Sequence, residues 1–170
     1  RGFPTRWRLA TEYLYLRKLA PGTALLNGFY AGGFDHASER EVEVVMGACM
    51  LVRRAAIDEV GLLDEGFFLF SEETDWCFRF AQAGWKTLFT PEAECVHVGG
   101  ASHGGRLFRE NVRGHLRFFW KHHGPEEAER VRRLLRFSLV LRGGLYRGER
   151  ASVYRETADW LASGDVPALI

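Results

Sequence analysis

Cysteine is scarce in this 170-residue chain, which contains only Cys49, Cys77 and Cys95. The number is odd, the spacings are wide and no C-x-x-C pair occurs, so the pattern argues against a disulfide framework. Each cysteine stands in an apolar stretch, and reduced thiols are typical of cytoplasmic proteins. We therefore expect three free thiols in the core and a cytoplasmic location.

Long hydrophobic runs are also missing. No apolar stretch approaches the roughly 18 residues that a membrane-spanning helix needs, and no signal peptide opens the chain. The chain lacks an initiating methionine and begins abruptly with RGFPTRW, which predicts a fragment of a longer protein. Its composition, 46% hydrophobic and 14% aromatic, is still that of one domain with a real core.

A large charge of one sign is absent overall, because the net charge is +1, but the distribution is uneven. Residues 104–150 hold 12 Lys and Arg against 5 Asp and Glu, a net charge of +7, which leaves −6 for the rest. This segment suits phosphate, lipid headgroups or an acidic partner, and an anionic membrane surface in particular. The alternatives are a solvated helix face and packing on a missing part of the domain, and we expect no nucleic-acid partner. The arginines that accompany its apolar stripe are Arg130, Arg132, Arg133, Arg136 and Arg142.

The spacing of apolar residues predicts six helices and three strands. The helices are a first one capped by Thr5 that stops at Pro21-Gly22, a short one over 54–61, one from Ser71 to Gly84, and three over 106–123, 126–141 and 149–162. The strands are predicted over 41–54, 85–90 and 93–98, and residues 23–40 form a glycine-rich loop. Strands that alternate with helices before a helical tail predict an α/β or α+β layer architecture. An exposed edge of such a short sheet would allow a homodimer.

The stretch FLFSEETDWCFRFAQAGW places Glu72, Glu73 and Asp75 in one turn between apolar flanks. Acidic residues favour a helix N-terminus, so a solvated helix start is one interpretation. Apolar walls would instead raise a carboxylate pKa and create a general base. Asp75 can pair with Arg79 at the i,i+4 spacing, which leaves Glu72 and Glu73 without a local partner.

A second candidate is His97, a polar residue in an apolar run. It is either a hydrogen-bonded core histidine or a metal ligand, because a neutral imidazole donates a lone pair near pH 7. The other histidines that we considered show no zinc spacing with the cysteines, and we predict a surface or acceptor-side location for them. They are His103, His115, His122 and His123.

Five ordered motifs over about residues 43–102 resemble the C-terminal half of the catalytic domain of family 2 glycosyltransferases, especially bacterial rhamnosyltransferase-like members. They are G-A-x-x-L-x-R at 47–53, VGLLDEGFF at 60–68, E-[ED]-x-D-[WL]-x-x-R at 72–79, AGWKTLFTPEAECVH at 83–97 and G-G-x-S at 99–102. Any one motif is weak, but the series in this order is specific.

The resemblance implies an α/β GT-A fold, the Rossmann-like fold of nucleotide-diphospho-sugar transferases. Residues 1–103 would form its C-terminal, acceptor-side part, and residues 104–170 a basic helical extension. Members of the family transfer a sugar from a nucleotide-diphospho-sugar donor to a saccharide or lipid-linked acceptor, with inversion at the anomeric carbon. They use Mg²⁺ or Mn²⁺ as cofactor. No D-x-D motif occurs here, so the donor-binding half would precede this segment, which would be inactive alone and peripheral on the inner membrane face.

By motif position, the resemblance implies that Glu73 is the general base, where many members carry Asp. Glu72 and Asp75 correspond to the flanking acids, and His97 to a histidine that ligates the metal or contacts the donor diphosphate. The residues implied in acceptor or donor binding are Gly47, Ala48, Trp76, Arg79 and Ser102.

Two other functions fit parts of the sequence. The basic helices alone would suit a non-catalytic interaction or membrane-surface module. A carbohydrate hydrolase would need an acid and a base about 5 to 10 Å apart, which three acids crowded on one turn match poorly.

Overall fold

The computed structural model describes residues 1–97 and 105–170, and there the chain is mostly helical. A short antiparallel sheet joins β1 (Arg40–Val42) to β2 (Thr87–Phe89), with Arg40 opposite Phe89. Two 3₁₀ turns occupy Leu16–Lys18 and Gly28–Tyr30. The α-helices are α1 (Arg6–Tyr13), α2 (Ala24–Asn27), α3 (Arg54–Val60), α4 (Glu72–Gln82), α5 (Gly105–His123), α6 (Pro125–Leu145), α7 (Glu149–Ala162) and α8 (Val166–Leu169).

Five of the six predicted helices are confirmed, with small shifts at their ends. The first was predicted to continue to Pro21-Gly22 but ends at Tyr13, and a 3₁₀ turn follows at Leu16–Lys18. Thr5 caps α1, because its Oγ1 accepts a hydrogen bond of 3.1 Å from the backbone N–H of Arg8. Gly61 ends α3 with a φ of 87°, a conformation that glycine adopts without strain. The predicted cap at Ser71 is wrong, since this residue has a φ of 70° and its side chain makes no capping hydrogen bond.

The strand predictions are largely wrong. Residues 43–53 and 93–97 form no strand, and the predicted loop over 23–40 contains α2 and a 3₁₀ turn. An apolar run becomes a strand only where a neighbour supplies backbone partners, and the sheet within the described residues has two short strands. Leu51, in the middle of the longest predicted strand, is fully exposed. The α/β expectation is therefore met only in part.

One hydrophobic core joins α1 to the bundle of α5, α6, α7 and α8. Leu9 and Tyr13 of α1 and Phe67 pack with buried residues of these helices, such as Leu116 and Leu135. Both predicted domains, 1–103 and 104–170, contribute side chains to this core. The division between them stays a prediction.

Helix α4 lies between that core and a smaller apolar cluster. Trp76 and Phe80 of α4 pack against Ala56 of α3 in the smaller cluster. On the other side, the ring of Phe78 meets that of Phe118 in α5 edge to face, with centroids 5.3 Å apart. The helix that carries the acidic residues is thus held from two sides.

The three cysteines are free, as expected, but only Cys77 is buried. Cys49 and Cys95 are exposed, because the segments that contain them form no strand and no sheet covers them. Among the residues that the structure describes, no helix is both long and apolar enough to cross a bilayer.

Candidate functional site

The turn that leads into α4 has an unusual backbone. Phe70 and Ser71 have φ values of 69° and 70°, in the left-handed region that costs non-glycine residues about 1 to 2 kcal/mol each. Helix α5 approaches this turn at Gly114, where a Cβ atom would lie 2.7 Å from the carbonyl oxygen of Phe70. The close packing of α5 therefore holds the turn and sets the position of the acidic residues that follow.

Asp75 is fully buried and is contacted by three side chains, those of Arg79, Lys121 and His122. Arg79 Nε donates to its Oδ2 at 2.8 Å, while Lys121 Nζ and His122 Nε2 lie 2.8 and 2.7 Å from its Oδ1. Burial works to raise the pKa of Asp75, but the hydrogen bonds from His122, Lys121 and Arg79 outweigh it and lower the pKa to about 2. Asp75 is therefore an anion at neutral pH and ties α4 to α5.

The same lysine reaches a second carboxylate. Lys121 Nζ lies 2.7 Å from Asp64 Oδ2, and Arg117 is 3.7 Å from the other oxygen of Asp64. The hydrogen bond from Lys121 is the main reason that the pKa of Asp64 is lowered. Through Lys121, α5 fixes both the turn around Asp64 and the first turn of α4.

Trp76 and Arg79 hold the turn that ends α3. Trp76 Nε1 donates to the carbonyl of Gly61 at 2.8 Å. Arg79 donates to the carbonyls of Val60 and Leu62 at 2.9 and 2.7 Å. The donors of these two predicted binding residues are thus engaged with backbone oxygens.

Glu73 has a different environment from Asp75, although it is only two residues away. Its side chain is 11% exposed, and among the described residues it is paired with Arg1, with 4.0 Å between Nη1 and Oε1. Burial, followed by the nearby charge of Glu72, raises the pKa of Glu73. A carboxylate with a raised pKa and no tight ion pair can take up a proton, which is the property of a general base.

The remaining predicted residues near Glu73 are Glu72, Gly47 and Ala48. Glu72 Oε2 is buried and has no hydrogen-bond partner among the described residues. Gly47 lies in an exposed turn where an added Cβ would be 3.7 Å from the Cβ of Glu73. Ala48 follows in the same turn and is also exposed. The structure therefore brings Gly47 to the side of Glu73 at the protein surface.

The structure describes less of the predicted metal ligand and of the glycine-rich loop. His97 is exposed at the end of a described segment, and Ser102 lies outside the described residues. Within residues 1–97 and 105–170, no group of three His, Cys, Asp or Glu is close enough to hold a metal ion. The residues described do not by themselves form a metal centre.

Two histidines that we predicted on the surface or acceptor side are buried. His115 is fully enclosed, and burial lowers its pKa to about 4. His122 contacts Asp75, so a surface location is wrong for both. The positions of Lys121 and His122 in the sequence do not predict their contact with Asp75, because that contact forms only when α5 packs on α4.

Glu73 is thus a buried carboxylate with a raised pKa in the first turn of α4, beside the exposed turn at Gly47 and two residues from the ionic network of Asp75. The comparison with known families gives the class of protein. Residues 33–117, half of the chain, match the family described as "Glycosyltransferase like family 2". The chain belongs to this family.

Within the family the chain is similar to rhamnosyltransferases. It is 36% identical over 112 residues to the N-acetylglucosaminyl-diphospho-decaprenol L-rhamnosyltransferase of Mycobacterium tuberculosis, covering 64% of this chain and 36% of that protein. It is 32% identical over 81 residues to rhamnosyltransferase WbbL of Escherichia coli, covering 47% of this chain and 30% of that protein. The matched part thus spans about a third of these relatives. No solved structure matches the chain.

Proposed function

We propose that this chain is the acceptor-side part of an inverting glycosyltransferase with a GT-A fold. In the longer protein, the reaction would transfer rhamnose from a nucleotide-diphosphate donor to a hydroxyl of a saccharide or lipid-linked acceptor. Such a step belongs to bacterial cell-surface polysaccharide or glycolipid synthesis. The names of the two similar rhamnosyltransferases support this sugar. The observation that carries the proposal is the raised pKa of the enclosed, loosely paired Glu73.

The proposed chemistry is a single in-line displacement. Glu73 accepts the proton of the acceptor hydroxyl while the oxygen of that hydroxyl attacks the anomeric carbon. The nucleoside diphosphate leaves from the opposite face of the sugar. Asp75 contacts no open surface, so we assign it the positioning of α4 through Arg79, Lys121 and His122. Glu72 adds negative charge that keeps the pKa of Glu73 raised.

We also propose that a divalent metal, Mg²⁺ or Mn²⁺, binds in the longer protein with His97 as one ligand. The other ligands and the donor site would come from parts of that protein beyond the described residues. Titration of a nucleoside diphosphate with and without Mn²⁺ into the full-length protein tests this assignment, with His97→Ala as the variant. Equal affinity in wild type and variant would remove His97 from the metal site.

The test of the base is Glu73→Gln in the full-length protein, with a nucleotide-diphosphate-rhamnose donor and a polyprenyl-diphosphate N-acetylglucosamine acceptor. General bases contribute about 10²- to 10⁴-fold, so we expect kcat to fall by that factor while donor affinity is unchanged. The matched control is Glu92→Gln, the same change at an exposed carboxylate. Full activity of Glu73→Gln would overturn the proposal.

A second candidate is a non-catalytic interaction module, which the exposed arginines of α6 favour. Arg130, Arg133 and Arg136 are exposed along this helix. A module of this kind predicts no metal-dependent binding of nucleoside diphosphate by the full-length protein. The titration described above therefore separates the two functions.

A further inference from the structure

The solvent-facing side of α6 carries apolar residues that the fold leaves uncovered. Its opposite side is buried against α1, α5 and α7 through residues such as Val131, Leu135 and Leu139. The exposed side has large side chains near the C-terminal end, of which Leu145 is 80% exposed. These residues, here called the α6 apolar face, are Phe137, Val140, Leu141 and Leu145.

The α6 apolar face forms one stripe. Positions 137, 141 and 145 are four residues apart and position 140 is three from 137, so the four lie within one side of a helix. Gly144 stands on the same side with no atom within 4 Å of where its Cβ would be, which shows open space there. An apolar patch that is exposed in this way marks an interaction site or a membrane contact.

The charges around this face have one sign. Residues 130–148 contain no Asp or Glu. Arg136 and Arg147 are exposed, and neither forms an ion pair with a carboxylate of the described residues. The apolar stripe is therefore flanked by cationic side chains at both ends.

Two of the arginines that the sequence suggested for a membrane contact do not belong to this surface. Arg142 is buried, stacks 3.9 Å above the ring of Tyr15 and donates to the carbonyl of Glu12. Arg132 is bound to both carboxylate oxygens of Glu129. The face therefore depends on Arg136 and Arg147 for its exposed charge, with Arg133 partly offset by Glu129.

The face is also remote from the corner where α5 meets α6. Lys121 and His122, which contact Asp75, immediately precede α6. A helix rises 1.5 Å per residue, so Leu145 lies about 30 Å along α6 from Pro125. Leu145 therefore lies at the end of α6 that is away from the Asp75 network.

We infer that the α6 apolar face, with Arg136 and Arg147 beside it, docks the protein on an anionic lipid bilayer. The apolar side chains would enter the boundary between headgroups and acyl chains, and the cations would contact lipid phosphates. The inference goes beyond glycosyl transfer, since it concerns where the enzyme sits and not what Glu73 does. The lipid rather than a second copy is favoured because two copies of this face would bring like charges together.

The test is sedimentation of the 170-residue chain with vesicles of equal parts phosphatidylglycerol and phosphatidylcholine, compared with pure phosphatidylcholine. We expect binding to the anionic vesicles only, weakened by salt. Phe137→Glu with Leu145→Glu removes two inserted side chains, so the partition coefficient should fall at least tenfold. The control with the same charge change is Leu51→Glu with Leu88→Glu, at exposed leucines outside α6.

Arg136→Gln with Arg147→Gln tests the charges alone. Each basic residue near an anionic surface contributes about fivefold to binding, so we expect a loss of roughly 25-fold. Thermal unfolding by circular dichroism checks that the variants fold. Equal sedimentation of wild type and Phe137→Glu/Leu145→Glu would overturn the inference. The inference would also be overturned if light scattering showed that the wild type is a dimer and this double variant is a monomer. The α6 apolar face would then bind a second copy of the chain.

Discussion

Replacing Asp75 with asparagine removes the anion at the centre of the contact between α4 and α5. The variant keeps the shape of the side chain but leaves Lys121, His122 and Arg79 facing a neutral amide. Removing one partner of a buried ion pair costs about 3 to 5 kcal/mol, because the opposing charge stays buried without compensation. We expect Asp75→Asn to destabilise the chain by that amount at pH 7.

The pH dependence of this loss follows from the lowered pKa. A carboxyl group at about 2 in the folded chain, against 3.8 in the unfolded chain, contributes about 2.5 kcal/mol to the free energy of unfolding. Because the folded pKa is the lower one, this contribution is complete above about pH 5 and is lost as the pH falls towards 2. At pH 3 about 1 kcal/mol of it is already gone. The difference between wild type and Asp75→Asn should shrink by that amount.

Urea unfolding at pH 7 and pH 3, followed by circular dichroism, measures this difference directly. Other carboxylates also titrate in this range, but they do so in both proteins and cancel in the comparison. The matched control is Asp58→Asn, which breaks an i,i+4 pair with Arg54 that is exposed to solvent. That change should cost less than about 1 kcal/mol. A difference for Asp75→Asn that is equal at both pH values would refute the assignment of a low pKa.

Two further changes test how α4 and α1 are held. Gly114→Ala should destabilise the chain by about 1 to 3 kcal/mol, because the new Cβ meets the backbone before α4, whereas Gly144→Ala in open space should stabilise α6 by up to about 1 kcal/mol. Urea midpoints of the two alanine variants give the comparison, and similar midpoints would contradict the close approach. Thr5→Ala should cost about 1 kcal/mol through loss of the α1 cap, and Thr5→Ser should restore most of it in the same assay.

The helices could be predicted from the sequence because their signals are local. The run from Ser71 to Gly84 carries apolar residues at helical spacing and ends at a glycine, so α4 could be placed within two residues. The strands could not, since the apolar run over 41–54 indicates burial without saying what pairs with it. In the described chain that run leaves Leu51 exposed, and only Arg40–Val42 at its start finds a partner strand.

The candidate site divides in the same way between local and distant contacts. The ion pair of Asp75 with Arg79 follows from i,i+4 spacing and is present. The contact of Asp75 with His122 joins residues 47 positions apart and arises only from the packing of α5. No spacing rule relates these two residues, so the group that decides the charge state of Asp75 could not be found from the sequence.

The opposite shifts of Glu73 and Asp75 distinguish their roles better than either residue alone. Both stand in the first turn of α4, so the helix dipole acts on both in the same direction and cannot separate them. The difference comes from the hydrogen-bond partners. Arg79, Lys121 and His122 all donate to Asp75, whereas Glu73 has Glu72 as its charged neighbour and Arg1 at 4.0 Å. A carboxylate that must exchange a proton needs the second environment, and one that must anchor two helices needs the first. The acidic turn thus contains an anchor at Asp75, and its other environment, at Glu73, is the one that the proposed general base requires.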